Sequence, residues 1–167
     1  MGYTHYWERK KDLSKNWDKF LEDVKKLIGN LPKHSKSAGN EYYEEPLELA
    51  GWDGDGKPEF SGDEIRFNGV NNNDMSHESF VIEKIFQSSK GRLPPKENGM
   101  CSAFCKTARK PYDLAVCCVL LLARKNFGDE FVIFSDGGDY LTSEDWKPAR
   151  DLIIELGFGD FLMIENI

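Results

Sequence analysis

Neither an excess of positive charge nor a long apolar run is present in this sequence. Its 167 residues include 22 basic and 29 acidic side chains, which give a formal net charge of −7. Such a chain repels polyanions and gains nothing from counterion release, which argues against direct, non-specific nucleic-acid binding. The longest apolar run, residues 114–123, is about half of what a bilayer crossing needs, so we expect no membrane span.

The signatures of several enzyme and cofactor classes are missing too. The sequence has no Gly-x-Ser-x-Gly elbow, and no glycine-rich turn precedes Lys106 as a P-loop would require. Its cysteines lack the two-residue spacing of a zinc knuckle. We therefore predict no cofactor and no metal. Zinc binding by the four cysteines stays open as the alternative: Cys101, Cys105, Cys117 and Cys118.

What the sequence does contain is the composition of a folded protein. Hydrophobic residues make up 40% and aromatic residues 13% of the chain, whereas a disordered chain is short of both. A length of 167 residues suits one hydrophobic core. We therefore expect a single domain over residues 1–167, with surface loops at residues 33–45 and 87–100. Free thiols without a signal peptide predict a cytoplasmic protein.

Hydrophobic periodicity predicts the secondary structure. Alternating residues indicate strands, and apolar residues at three- and four-residue intervals indicate helices. The predicted strands are residues 2–9, 47–52, 64–70, 79–86 and 131–134, with a further terminal strand at 161–164. The predicted helices are residues 14–28, 112–127 and 142–156. Consecutive strands in the middle of the chain require antiparallel pairing, so we predict an α+β two-layer sandwich with a mixed or antiparallel sheet and about three helices.

A cluster of cations stands at the start of the most apolar helix. Lys106, Arg109 and Lys110 precede or flank Pro111, a residue suited to the first turn of a helix. Free backbone N–H groups and the helix dipole favour an anion at such a position. The cluster therefore predicts a phosphate site, to which the neighbouring Thr107 would add a hydroxyl and Tyr112 a ring for stacking. The alternative is that these cations pair with the chain's own carboxylates.

Four further residues are candidates for ligand contacts. His5 lies between aromatic residues on the first predicted strand, where a core role is the alternative. His77 is followed by a glutamate, and a solvated turn is its alternative. Asn68 and Asp136 each precede glycine near the end of a predicted strand, where backbone can approach a ligand closely. We predict that these four residues and the cation segment converge on one pocket.

The motifs in the chain resemble those of a known group of proteins. They are residues 2–7 (GYTHYW), 67–69 (FNG), 77–80 (HESF), 104–113 (FCKTARKPYD) and 135–137 (SDG). In this order they resemble a family of small uncharacterised proteins encoded by tailed phages and bacterial genomes. The resemblance implies a phage or bacterial context and carries no activity with it. In a bacterial host cell, accessory proteins of this size often act against host defence.

Three functions are therefore open. The first, which we prefer, is non-catalytic binding of a small phosphorylated or nucleotide ligand, such as a host immune signal that the protein sequesters. The second is protein inhibition, in which an acidic loop at residues 40–48 blocks a host defence complex, as an anti-CRISPR protein or a DNA mimic does. The third is a metal-independent hydrolase that uses His77 or His5 with a carboxylate. Homo-oligomer formation is not decided by the sequence.

Overall fold

The computed structural model describes residues 2–35, 45–88 and 92–165 of the chain. The strands are β1 (Thr4–Lys10), β2 (His34–Ser35), β3 (Glu45–Pro46), β4 (Leu49–Ala50), β5 (Glu59–Phe60), β6 (Glu64–Gly69), β7 (Phe80–Glu83), β8 (Met100–Lys106) and β9 (Phe131–Ser135). The helices are α1 (Trp17–Ile28), α2 (Asp113–Phe127), α3 (Lys147–Glu155) and α4 (Asp160–Glu165).

All strand pairs in the described part of the chain are antiparallel. One sheet has the order β8-β1-β9, with β1 paired along its whole length to β8. In a second sheet, β6 is central and pairs with β4, β5 and β7. The short strands β2 and β3 pair with each other. The fold is therefore α+β with antiparallel sheets, as the sequence predicts.

The core lies where the two sheets meet the helices. Helix α2 is buried on nearly every side, between the β1 sheet and the helices α1 and α3. Trp7 of β1 connects the two sheets, because its ring lies 5.3 Å from that of Phe80 in β7 and 6.4 Å from that of Phe131 in β9. The continuous apolar surface around α2 accounts for the high hydrophobicity of this helix.

A buried arginine joins the end of β1 to the end of β7. The guanidinium of Arg9 donates to the carbonyl oxygens of Glu83 and Lys84, and to two carbonyls of its own strand end. Burial lowers the pKa of Arg9 to about 10, so the side chain stays charged at neutral pH. Its donors add to the backbone hydrogen bonds that already hold the Lys11 and Lys84 carbonyls, so one planar side chain joins both strand ends.

Two predictions of secondary structure were wrong at the element level. The predicted terminal strand at residues 161–164 is part of helix α4, so the described residues contain four helices rather than about three. Asp160 stands in the first turn of α4, where an acidic side chain favours a helix start. Strand β8 was not predicted; it begins at Met100, where the predicted loop 87–100 ends.

The predicted loops are seen only in part. Residues 36–44 of the loop 33–45, and with them most of the acidic segment 40–48, lie outside the described residues, as do residues 89–91 of the second loop. The described ends of the first loop form the β2 and β3 pair. The helix predicted at 142–156 is shorter and spans Lys147–Glu155. Within the described chain, no helix has both the length and the apolar character needed to cross a bilayer.

Candidate functional sites

The turn before α2 holds two residues in a left-handed conformation. Ala108 has a φ of 52° and Arg109 a φ of 61°. The turn closes through Lys110 N–H, which donates to the Thr107 carbonyl at 3.1 Å, and the Tyr3 carbonyl accepts from the amides of Thr107 and Ala108. Left-handed φ values are costly for residues with a Cβ atom. Such strain is common in segments that must place a side chain at a defined position.

Two of the three predicted phosphate-binding cations already have acidic partners. Arg109 lies over the Tyr3 ring, 4.0 Å from its centroid, and 3.6 Å from Asp145. Lys110 Nζ is 3.0 Å from Asp74. Lys106 has no carboxylate partner among the described residues, and its side chain lies against Gly2.

The first amides of α2 are also occupied. Asp113 N–H donates to the Lys110 carbonyl at 2.9 Å, and Leu114 N–H donates to the Pro111 carbonyl. The cations and the helix start therefore do not present a set of free donors for a phosphate. Of the cation segment, Lys106 is the group left for a ligand.

The Asp113 carboxylate instead forms hydrogen bonds within the protein. One carboxylate oxygen, Oδ1, lies 2.6 Å from Nε2 of His5 and accepts the Thr107 hydroxyl at 2.5 Å. The other, Oδ2, accepts the thiol of Cys117 at 3.6 Å. On its far side, the His5 ring contacts the Ser135 hydroxyl through Nδ1 at 2.7 Å. His5 is wholly buried, and both of its ring nitrogens contact side chains of the protein itself.

Asn68, His77 and Tyr112 hold neighbouring backbone in place. The buried Asn68 donates to the His77 carbonyl at 2.9 Å and accepts the His77 amide at 3.1 Å. His77 is exposed, and its Nδ1 contacts the Lys106 carbonyl at 2.9 Å. The Tyr112 hydroxyl donates to the Glu78 carbonyl at 2.6 Å and is buried, which leaves no ring face for stacking.

Asp136 fixes the turn after β9 to the start of β1. Its Oδ2 accepts the Thr4 amide at 3.0 Å, while its own amide donates to the Thr4 carbonyl at 3.0 Å. The nine predicted residues thus lie around the same ends of β1, β8 and β9 and the start of α2. None of them lines the cavity beside Tyr6 and Phe104 or the cavity beside Ser135, both of which are described below.

One group of side chains has the composition of a metal site. Donor atoms of His5, Asp113 and Cys117 lie within 4.8 Å of one another. Ligand atoms around a tetrahedral zinc ion are about 3.3–3.8 Å apart, because each lies roughly 2.0–2.3 Å from the metal. The 2.6 Å between His5 Nε2 and Asp113 Oδ1 is a hydrogen-bond distance. Hydrogen bonds between these side chains therefore explain their proximity better than a shared metal ion does. The four-cysteine alternative forms no cluster among the described residues.

The outer face of the β1 sheet carries a row of exposed aromatic rings. Tyr6 on β1 is paired with Phe104 on β8 and with Phe134 on β9, so the three side chains lie side by side across the sheet. They are 42%, 62% and 52% exposed, respectively. Exposed rings of this size in a contiguous patch commonly mark a binding surface.

This row of rings forms part of a cleft of about 640 Å³, which we call the aromatic cleft. Trp52, itself 55% exposed, lines it together with Leu93 and Arg92. Hydroxyl groups also line it: Ser79 and Ser102. Its volume lies within the range of about 300–1,000 Å³ that is typical of small-molecule sites.

The aromatic cleft was missed from the sequence for a physical reason. Aromatic residues on strands usually face the core, and β8 was not predicted at all. On β8 the buried positions hold the small residues Cys101 and Cys105, while Phe104 faces outward. A large outward side chain between small inward ones is the signal that was available.

Comparisons with protein-family models, with curated proteins and with solved structures each found no match to this chain. The class of the protein is therefore given by its structure alone. It is an α+β protein with antiparallel sheets, an aromatic cleft on one sheet face and a buried hydrogen-bond network under the other.

Proposed function

We propose that the protein binds a mononucleotide or a similar small nucleotide ligand in the aromatic cleft. The observation that carries this proposal is the row formed by Tyr6, Phe104 and Phe134, exposed at directly paired strand positions in a cleft of about 640 Å³. Any of the nucleotide bases can stack on such rings, because every base has a π face.

The polar groups of the cleft suit a base and a sugar. The Ser79 hydroxyl oxygen already accepts from Asn68 Nδ2 and from the Asp53 amide, so its proton is free to be donated. Arg92 is held in the wall by Glu83 at 2.8 Å and by the Phe86 ring. Such fixed groups provide the few oriented hydrogen bonds that give an apolar site its specificity.

Lys106 lies outside the lining of the aromatic cleft and is the proposed contact of a phosphate that projects out of the cleft. It lies two residues after Phe104 on the same face of β8, which is roughly 7 Å along a strand and close to the separation of base and phosphate in a nucleotide. It is also the member of the cation segment without an acidic partner among the described residues. This changes the predicted phosphate contact from the start of α2 to the end of β8.

The biological setting is part of the proposal. In the phage or bacterial context that the sequence resemblance implies, a binder of this kind in the cytoplasm of the host cell would sequester a nucleotide immune signal. The charge of −7 favours a small ligand over a nucleic-acid strand, because a polyanion would be repelled by the rest of the surface.

Thermal-shift and calorimetric titrations with AMP, cyclic AMP, adenosine and ribose 5-phosphate test the proposal. We expect AMP or cyclic AMP to raise Tm, and Phe104→Ala to weaken binding about 5- to 150-fold, because stacking contributes about 1–3 kcal/mol per base. Lys106→Met should weaken binding of AMP more than that of adenosine. Ile154→Ala, at an exposed residue of α3, is the matched control.

Two results would contradict the proposal. One is the absence of stabilisation by every ligand of the set. The other is stabilisation that persists unchanged in both Tyr6→Ala and Phe104→Ala. Loss of binding in Arg109→Ala with Lys110→Ala, but not in Phe104→Ala, would restore the original prediction of a site at the start of α2.

A further inference from the structure

The buried network under the β1 sheet contains a serine, a histidine and an aspartate in series. His5 and Ser135 are paired across β1 and β9, and Asp113 stands in the first turn of α2. Nδ1 of His5 lies 2.7 Å from Ser135 Oγ, and Nε2 lies 2.6 Å from Asp113 Oδ1. This is the order of contacts in a nucleophile–base–carboxylate triad.

The other hydrogen bonds are consistent with one arrangement of protons. Ser135 Oγ accepts the amide of Gly137 at 2.9 Å, so its own proton is available for Nδ1 of His5. Asp113 accepts hydrogen bonds from Thr107 and Cys117. Its remaining contact is with Nε2 of His5, so Nε2 carries the ring proton and donates it to this carboxylate in a hydrogen bond. His5 is thereby poised to receive the serine proton on Nδ1. In serine proteases, Nε2 faces the serine and Nδ1 faces the aspartate, which is the reverse of the arrangement in this protein. Either ring nitrogen can act as the base.

The serine of this triad reaches a cavity, whereas its base does not. Ser135 lines a cavity of about 410 Å³ together with residues of the following turn, among them Gly138, Asp139 and Tyr140. His5 is wholly buried and is not among the residues that line the cavity. A substrate bound there would lie beside Ser135, while the imidazole stays shielded from bulk water.

Unpaired polar groups gather beside the same serine. Among the described residues, four buried side-chain polar atoms have no hydrogen-bond partner, and three belong to this region: Tyr3 Oη, Ser143 Oγ and Trp146 Nε1. The Tyr3 and Trp146 rings lie 5.1 and 5.2 Å from that of His5. Unpaired buried donors are costly. These three residues do not line the cavity, so only a group that passes beyond its lining, such as an oxyanion formed on Ser135, would reach them.

Tyr3 is the best placed of these donors. Its hydroxyl lies against Gly137, where a Cβ atom would overlap it, and the Gly137 amide contacts Ser135 Oγ. Burial raises the pKa of Tyr3, so the group remains a donor over the whole physiological range. Glycine at position 137 is thus what allows the two hydroxyl groups to approach the same backbone segment.

We propose that the protein hydrolyses small carboxylic esters, with Ser135 as nucleophile, His5 as general base, Asp113 as the residue that positions His5, and Tyr3 as a donor to the oxyanion. This activity goes beyond ligand binding in the aromatic cleft and does not require it. A cavity of about 410 Å³ has room for a small ester.

The reaction has two balanced halves. Ser135 Oγ attacks the carbonyl carbon while its proton moves to Nδ1 of His5. The tetrahedral intermediate then breaks its bond to the leaving oxygen, which takes that proton and departs as an alcohol. Water next gives a proton to His5 and attacks the acyl group. Collapse of the second intermediate releases the carboxylic acid, and Ser135 regains its proton.

The first test uses an alkyl fluorophosphonate, which phosphonylates activated serines with loss of fluoride. We expect one adduct on the native protein, located at Ser135 by peptide mass spectrometry, and none in Ser135→Ala. The exposed Ser14→Ala variant is the control and should label like the parent. No adduct, or an adduct that persists in Ser135→Ala, would overturn the proposal.

The second test measures turnover of p-nitrophenyl acetate. Asp113→Asn, if folded by circular dichroism, should lower kcat about 10²- to 10⁴-fold, since the ring loses its orienting carboxylate. Tyr3→Phe loses no hydrogen bond recorded among the described residues and should fold. It is expected to lower kcat about 10²-fold with little change in KM. Unchanged kcat in Asp113→Asn overturns the triad, and unchanged kcat in Tyr3→Phe overturns the role of Tyr3.

Discussion

Nε2 of His5 lies 2.6 Å from Oδ1 of Asp113, although the two residues are 108 positions apart in the chain. The contact joins β1 to the first turn of α2 and is completed by Thr107 in the turn before that helix. A buried carboxylate with this many partners fixes the relative positions of the elements that supply them.

We expect Asp113→Asn to lower the free energy of unfolding by about 2–4 kcal/mol, because the amide replaces a buried acceptor with a donor that faces other donors. Thr107→Val removes one hydrogen bond and keeps the shape, so about 1–2 kcal/mol is expected. Urea unfolding monitored by tryptophan fluorescence measures both values. A smaller loss for Asp113→Asn than for Thr107→Val would contradict the central place of Asp113 in the network.

For the strained turn before α2, we predict a substitution that raises the stability of the protein rather than lowering it. Ala108 has a φ of 52°, which costs a residue with a Cβ atom roughly 1–2 kcal/mol. Glycine has no such cost but loses more entropy on folding. We therefore expect Ala108→Gly to raise the free energy of unfolding by about 0.5–1 kcal/mol.

The matched control for Ala108→Gly is Ala149→Gly in α3. Ala149 is a buried residue of a regular helix, where glycine is destabilising by about 1 kcal/mol or more. Opposite signs for the two alanine-to-glycine changes are expected in the same urea titration. A loss of stability at both positions would show that the left-handed turn is not strained.

Parts of this structure were predictable because they repeat at short range. The spacing of Trp17, Phe20 and Val24 predicts α1, and the alternation around Trp7 predicts β1; both are observed. The apolar run of α2 was likewise predicted. In each case, neighbouring residues alone determine which side chains face the core.

The candidate sites were less predictable because they depend on long-range contacts. Ser135 meets His5 across 130 positions, and no spacing in the sequence links them. Phe104 joins the aromatic cleft only because β8 pairs with β1. The cations Arg109 and Lys110 were correctly seen as clustered, but their partners Asp145 and Asp74 come from distant segments.

Arg9 gives a prediction about how the two sheets are held together. Its guanidinium donates to the carbonyls of Glu83 and Lys84 and lies over the Phe86 ring. Arg9→Met removes the donor to the Glu83 carbonyl, whereas the Lys84 carbonyl keeps the Leu13 amide, so we expect a loss of about 3 kcal/mol in urea unfolding. Arg9→Lys keeps the charge but not the planar set of donors, and about 2 kcal/mol is expected. Full stability in Arg9→Lys would show that charge alone is required.

Glu64 gives a prediction about pH. A hydrogen bond with Glu59, followed by burial, raises the pKa of Glu64 from 4.5 to about 7, although Arg66 opposes the shift. Between these values the folded state holds a proton that the unfolded state has released. This group's contribution therefore favours folding at low pH and is lost as the pH rises through about 7.

The experiment is urea unfolding of the parent and of Glu64→Gln at pH 5, 6, 7 and 8. Because glutamine keeps the side chain neutral at every pH, the variant should gain stability relative to the parent as the pH rises. The exposed Glu155→Gln variant reports the effect of removing one surface carboxylate. A difference between Glu64→Gln and the parent that stays constant from pH 5 to 8 would contradict the shared proton, because an ionised Glu64 would then face Glu59 throughout.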